Sequence, residues 1–195
     1  MRSIILSLSL LLTLIPVTAL AHAPIKGINN FYNGILHPLV VAPHLMIIIA
    51  LGLLIGQQSK DITIAPRGFL GGAIAGLAAA ALGAGFDAEI IIIVIAGTAG
   101  LLASIKPSLK TPVYTSFAIM GGLFIGLDST PEGLKAKDLF MSLGGTLLGA
   151  SLLLFYIAVL ASKAKKQWQQ IGVRVIASWT TASAVLVLAL QLIKK

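Results

Sequence analysis

The sequence contains no cysteine. Disulfide bonds, thiolate metal sites and cysteine nucleophiles are therefore excluded. Charge is scarce as well. Asp, Glu, Lys and Arg make up 10% of the 195 residues, against roughly 25% in an ordinary soluble domain. Six acids and three histidines leave few side chains able to do acid–base chemistry or hold a cation. The signatures HExxH and GxSxG do not occur, and no carboxylate pair sits inside an apolar run to share acid and base work. The chain is expected not to be an enzyme. The phosphate-cradling pattern GxxxxGK[ST] is missing too, so any transport would be secondary or driven by a partner. No basic patch with interleaved aromatics follows a phosphate backbone, and nucleic acid is not an expected partner.

What the chain does have is apolar surface. Hydrophobic residues make up 57% of it. No soluble core hides that much, so the solvent for most of it is the lipid bilayer. One domain is expected after a targeting segment. Arg2, the apolar run 4–15, the break at Pro16 and Ala19-Leu20-Ala21 follow the order of a cleavable signal peptide over residues 1–21. The alternative is an uncleaved first membrane helix. Cleavage after Ala21 would make His22 the new N-terminus, whose α-amine and imidazole can chelate one cation. The plainer reading of His22 is the first residue of a loose terminus.

Residues 33–58, NGILHPLVVAPHLMIIIALGLLIGQQ, hold the other two histidines, His37 and His44. On one continuous helix, positions seven apart share a face but stand about 10.5 Å apart along the axis. That is too far to hold one ion directly. Pro43 and Pro38 disfavour helical backbone at Ala42 and His37. The expected geometry is a helix starting near Ala42 with Pro43 in its first turn. Residues 22–35 would form an exposed lead-in, and His37 would then lie in a non-helical segment able to fold back toward His44. Metal-binding or proton-binding groups where a chain enters a bilayer point to a functional site. The alternative is two interfacial histidines bonded to backbone carbonyls.

Five further apolar segments follow, at 69–82, 88–105, 113–127, 139–161 and 171–193. With the stretch after His44 they make six expected spans. Small residues recur four apart at Gly68, Gly72 and Gly76, at Ala96, Gly100 and Ser104, at Gly122 and Gly126, and at Gly145 and Gly149. Such stripes let helices pack closely. They would also serve a second copy or a membrane partner. No charged residue lies well inside a span, so no buried proton relay is expected.

Charge sets the expected orientation. With the N-terminus of the mature chain outside, the inner loops hold Lys60, Arg67, Lys106, Lys110, Lys163, Lys165, Lys166 and Arg174 against one acid, Asp61. The outer segments hold Lys26, Lys135, Lys137, Lys194 and Lys195 beside Asp87, Glu89, Asp128, Glu132 and Asp138. The positive-inside bias is clear. Acids and histidines share the outer face, where they would draw in a cation.

The signal, the start at Ala21-His22, the HPL at His37 to Leu39, His44 and the six spans together resemble the HupE/UreJ family. These are hydrogenase- and urease-associated membrane proteins, regarded as secondary nickel or cobalt permeases. The family pattern is a histidine, five residues, then Asp-His. His37 and His44 match its histidines, Pro43 stands at the Asp position, and Val41 stands where glycine is usual. A histidine-rich motif is usual near the fourth span, but residues 122–128 here, GLFIGLD, contain none. Asp128 and Glu132 are candidate replacement oxygen ligands, or ordinary turn residues around Pro131 and Gly133.

The resemblance implies an all-α, polytopic membrane helix bundle of six spans over 22–195, in the inner (cytoplasmic) membrane. It implies secondary uptake of a divalent metal ion, nickel or cobalt, captured by His37, His44 and His22, with no resident cofactor. Imidazole binds metals in its neutral form, so capture is expected to weaken as pH falls through about 6.5. The alternative is an accessory or assembly protein of the same fold that docks a partner without moving metal.

Overall fold

The structure is a computed structural model that describes residues 27–58, 61–129, 134 and 136–193. The expected signal peptide and His22 lie outside these residues, as do Lys26, Lys60, Glu132, Lys135, Lys194 and Lys195. Every regular element among the described residues is a helix. We number the helices α1 (Asn30–Val40), α2 (Ala42–Gln58), α3 (Ile64–Ala79), α4 (Glu89–Ile105), α5 (Thr111–Asp128), α6 (Ala136–Ser162) and α7 (Gln167–Ile193). A π-helical turn, Ala80–Ala84, extends α3, and within it Gly83 departs from helical backbone with a φ of 87° that suits glycine. A helix satisfies its own backbone, which is what lipid demands.

Ile64–Ala84, Ala136–Ser162 and Gln167–Ile193 are each long and apolar enough to cross a membrane. The pair α1–α2, bent by 71°, makes a fourth if it is counted as one span. Glu89–Ile105 is apolar but shorter; its 17 residues extend about 26 Å, just under a bilayer core of about 30 Å. Among the described residues, three helices thus meet the length and composition of a span, or four with the bent pair.

The start of α2 is where the sequence places it, at Ala42, with Pro43 in the first turn. Proline is tolerated there because the first N–H groups of a helix have no intrahelical acceptor. The lead-in differs from expectation. From Asn30 onward it is the helix α1, and His37 sits in its last turn rather than in extended backbone. Asn29 caps this helix by accepting the Phe31 N–H at 2.9 Å. Packing outweighs the local bias of Pro38. Gly34 lies so close to α6 that a Cβ would overlap the Ser142 carbonyl oxygen, and Gly145 and Gly149 are pressed as closely against α1. The break falls at Val41 (φ −80°, ψ 107°). Its N–H still reaches the His37 carbonyl, and its carbonyl accepts from Leu45, both at 3.0 Å.

Helix α2 is the axis of the bundle. Ile47, Ile48, Leu51, Leu54 and Ile55 are all fully buried, enclosed by α4, α6, α5 and α7. A helix apolar on every side belongs in such a position. The outer helices face outward with Leu101, Leu152, Leu160, Trp179 and Leu186. So broad an exposed apolar surface is the kind a membrane-embedded helix bundle presents to lipid.

The glycine stripes are used inside the chain. Gly72 of α3 is pressed against the Ile119 and Leu123 backbone of α5, Gly122 of α5 against the Phe69 and Ala73 backbone of α3, Gly76 meets Gly126 backbone to backbone, and Gly100 of α4 meets Thr181 of α7. Alternating helix directions gather Gln57, Gln58, Lys106, Lys110 and Lys163 at one end of the bundle. The beginnings of α2, α4 and α6 and the end of α5 lie at the other.

Candidate metal site

The break at Val41 turns α1 back over the start of α2. The His37 and His44 rings consequently meet edge to face, with centres 5.1 Å apart and planes at 70°. The sequence expectation that the two histidines approach each other holds, reached by a bend between two helices rather than by a loop. Metal–nitrogen bonds are about 2.1 Å, so rings this close are within reach of a shared ion.

His44 is fully buried, although it lies in the first turn of α2. Its Nε2 is 2.9 Å from Oδ2 of Asp128, the last residue of α5. The Asp128 side chain is 6% exposed. Its other oxygen, Oδ1, accepts the backbone N–H of Ala88 at 2.7 Å, immediately before α4. One carboxylate thereby ties together α2, α5 and the entry to α4. Isolated buried charge is costly, and a carboxylate is tolerated here because both its oxygens are bonded. Beside it Ser129, also buried, donates its hydroxyl to the Ile125 carbonyl at 2.5 Å.

Asp128 is where the sequence reading falls short. It is weighed there as a spare oxygen ligand or a turn residue, with no buried relay expected. Instead it is buried and bonded to the central histidine. The available signal is its place as the one acid directly ending an apolar span, on the same face as the histidines. Glu132, the other candidate oxygen ligand, lies outside the described residues, so of the three expected metal-binding histidines and two acids, His37, His44 and Asp128 are brought together.

Their arrangement is not a finished ion cage. Among the described residues, no three His, Asp or Glu side chains gather so as to hold a metal ion by themselves. Asp128 bonds directly to His44, the way an outer carboxylate orients a ligating histidine.

The family model described as HupE / UreJ protein matches residues 10–188 of the chain. No curated protein and no solved structure matches it.

Proposed function

The chain belongs to the HupE/UreJ family, and from that premise we propose that it is a secondary permease for a divalent transition-metal cation of the nickel or cobalt type. The observation that supports this reading is the meeting of His37 and His44 at 5.1 Å, at the end of the bundle where Asp87, Asp128 and Asp138 also lie. Neutral imidazole suits nickel and cobalt, and nearby acids raise the local cation concentration. In this reading α2 to α7 each cross the inner membrane once. Helix α1 lies across the outer mouth, and the basic end faces the cytoplasm. His22 would add a ligand at the same face.

The second reading is an accessory protein that docks a partner without moving metal. It draws on the lack of a three-ligand cage among the described residues.

Calorimetry on the purified chain with Ni²⁺, Co²⁺, Zn²⁺ and Cu²⁺ separates the two. The permease reading expects binding at about micromolar or tighter, near 8 kcal/mol, abolished in the His37→Ala/His44→Ala double variant. Metal uptake into proteoliposomes should vanish with it. No binding to any of the four ions would refute the permease and favour the docking protein.

A further inference from the structure

The bond between Asp128 and His44 settles which imidazole nitrogen is available. A carboxylate only accepts hydrogen bonds. Oδ1 of Asp128 takes the Ala88 N–H at 2.7 Å, and Oδ2 faces Nε2 of His44 at 2.9 Å. Nε2 is therefore the nitrogen that carries hydrogen. In a neutral imidazole the lone pair then sits on Nδ1. That Nδ1 is buried and has no hydrogen-bond partner among the described residues. A buried acceptor without a partner is costly, and here it lies in a ring packed edge to face against His37.

We propose that Nδ1 of His44 is the atom that coordinates the incoming divalent cation, and that Asp128 is the positioning residue that keeps this nitrogen bare. The proposal rests on the permease reading's premise that a cation binds here. Asp128 itself stays one bond removed from the ion and holds the ring through Nε2.

The local geometry predicts what Asp128→Asn does. The Ala88 N–H still needs an acceptor, so the amide oxygen takes that place. The amide NH₂ then points at Nε2 of His44. Nε2 must become the acceptor, the hydrogen moves to Nδ1, and the coordinating lone pair is lost. The replacement is nearly isosteric, so it inverts the tautomer without emptying the site. Glutamate at 128 restores a pure acceptor and should recover part of the binding.

The test uses the full chain in detergent, labelled with ¹⁵N-histidine, with Co²⁺ and Ni²⁺ as probes. With only three histidines, each imidazole signal is assignable by single replacements. The metal-free wild type should show His44 as the Nε2–H tautomer and Asp128→Asn as the Nδ1–H tautomer. Co²⁺ and Ni²⁺ affinity should fall about 10- to 100-fold in Asp128→Asn, the usual effect of losing an outer-shell partner. It should recover in part in Asp128→Glu. A wild-type His44 protonated on Nδ1 would overturn the proposal without any variant. Unchanged metal affinity in a folded Asp128→Asn variant would overturn it while leaving the permease reading intact. A wild type that binds neither ion would overturn both.

Discussion

The closest approach between α3 and α5 offers a sharp test of the packing. On α5, a Cβ added to Gly122 would overlap the Phe69 carbonyl oxygen and lie 2.8 Å from the Ala73 nitrogen. Both are backbone atoms of α3, so no side-chain rotation can relieve the clash. Gly122→Ala must push the two helices apart. Overpacking of this kind costs about 1–3 kcal/mol, offset by up to about 1 kcal/mol of better helix propensity. The net loss is therefore about 0–3 kcal/mol, centred near about 1.5 kcal/mol, or roughly 3–6 °C in unfolding midpoint at that centre for a chain of this size. Gly144 on α6 supplies the control, because a Cβ there meets nothing within 4 Å. Gly144→Ala should gain up to about 1 kcal/mol or stay neutral. Thermal unfolding of both variants in the same detergent, followed by circular dichroism, reads the difference directly. Equal midpoints for the two would refute the claim that α3 and α5 touch through glycine.

Two further predictions concern the opposite end of the bundle. Gln58 clamps the connection between α4 and α5, donating to the Pro107 carbonyl at 2.5 Å and accepting the Leu109 N–H at 3.0 Å. Gln58→Ala should destabilise by about 1–3 kcal/mol through the groups left unpaired; unchanged hydrogen-exchange protection of the Leu109 amide would contradict it. Asp61 accepts from the Thr63 backbone N–H at 2.9 Å and from its hydroxyl at 2.7 Å. The backbone bond, then the hydroxyl bond, then Arg67 hold its carboxyl below the usual value of about 4. The sign follows from linkage: a lowered folded-state value stabilises the turn above about pH 4, and that stabilisation is lost as pH falls through the lowered value. Protection of the Thr63 amide should collapse on acidification in the wild type and be weak at every pH in Asp61→Ala.

Much of the framework is readable from the chain because lipid restricts the choices. Apolar runs must be helices, glycines four apart must face close neighbours, and the proline pair must interrupt the first run. Which stripe meets which is not readable. Gly76 with Gly126 and Gly34 with Gly145 are long-range choices that no local spacing encodes. His37 shows how tertiary packing overrides propensity. Pro38 argues against helix at His37, yet docking of Gly34 on α6 keeps α1 helical and moves the break to Val41. The site is half legible for the same reason. His37 and His44 are marked by rarity and place. Asp128 is 84 positions from His44 in the chain, and only the fold shows that its carboxylate reaches the ring.

That separation has a mechanical consequence. The HupE/UreJ pattern sets an aspartate immediately before the second histidine, where this chain has Pro43. A carboxylate at position 43 would ride on α2 with the ring and keep its relation to His44 whatever the other helices did. Asp128 instead ends α5 and is itself held by the Ala88 N–H ahead of α4. A shift of α5 or α4 relative to α2 breaks the bond and frees the proton to sit on either nitrogen of His44. If His44 captures a cation as proposed, capture and the mutual position of three helices form one equilibrium. An ion that favours the Nδ1 lone pair also favours the arrangement that keeps Asp128 in place, by the difference in its affinity for the two arrangements. On the permease reading, a substitution that loosens α5 on α3, such as Gly122→Ala, should therefore weaken cation binding as well as the fold, although Gly122 packs against Phe69 and Ala73 rather than against His44 or Asp128.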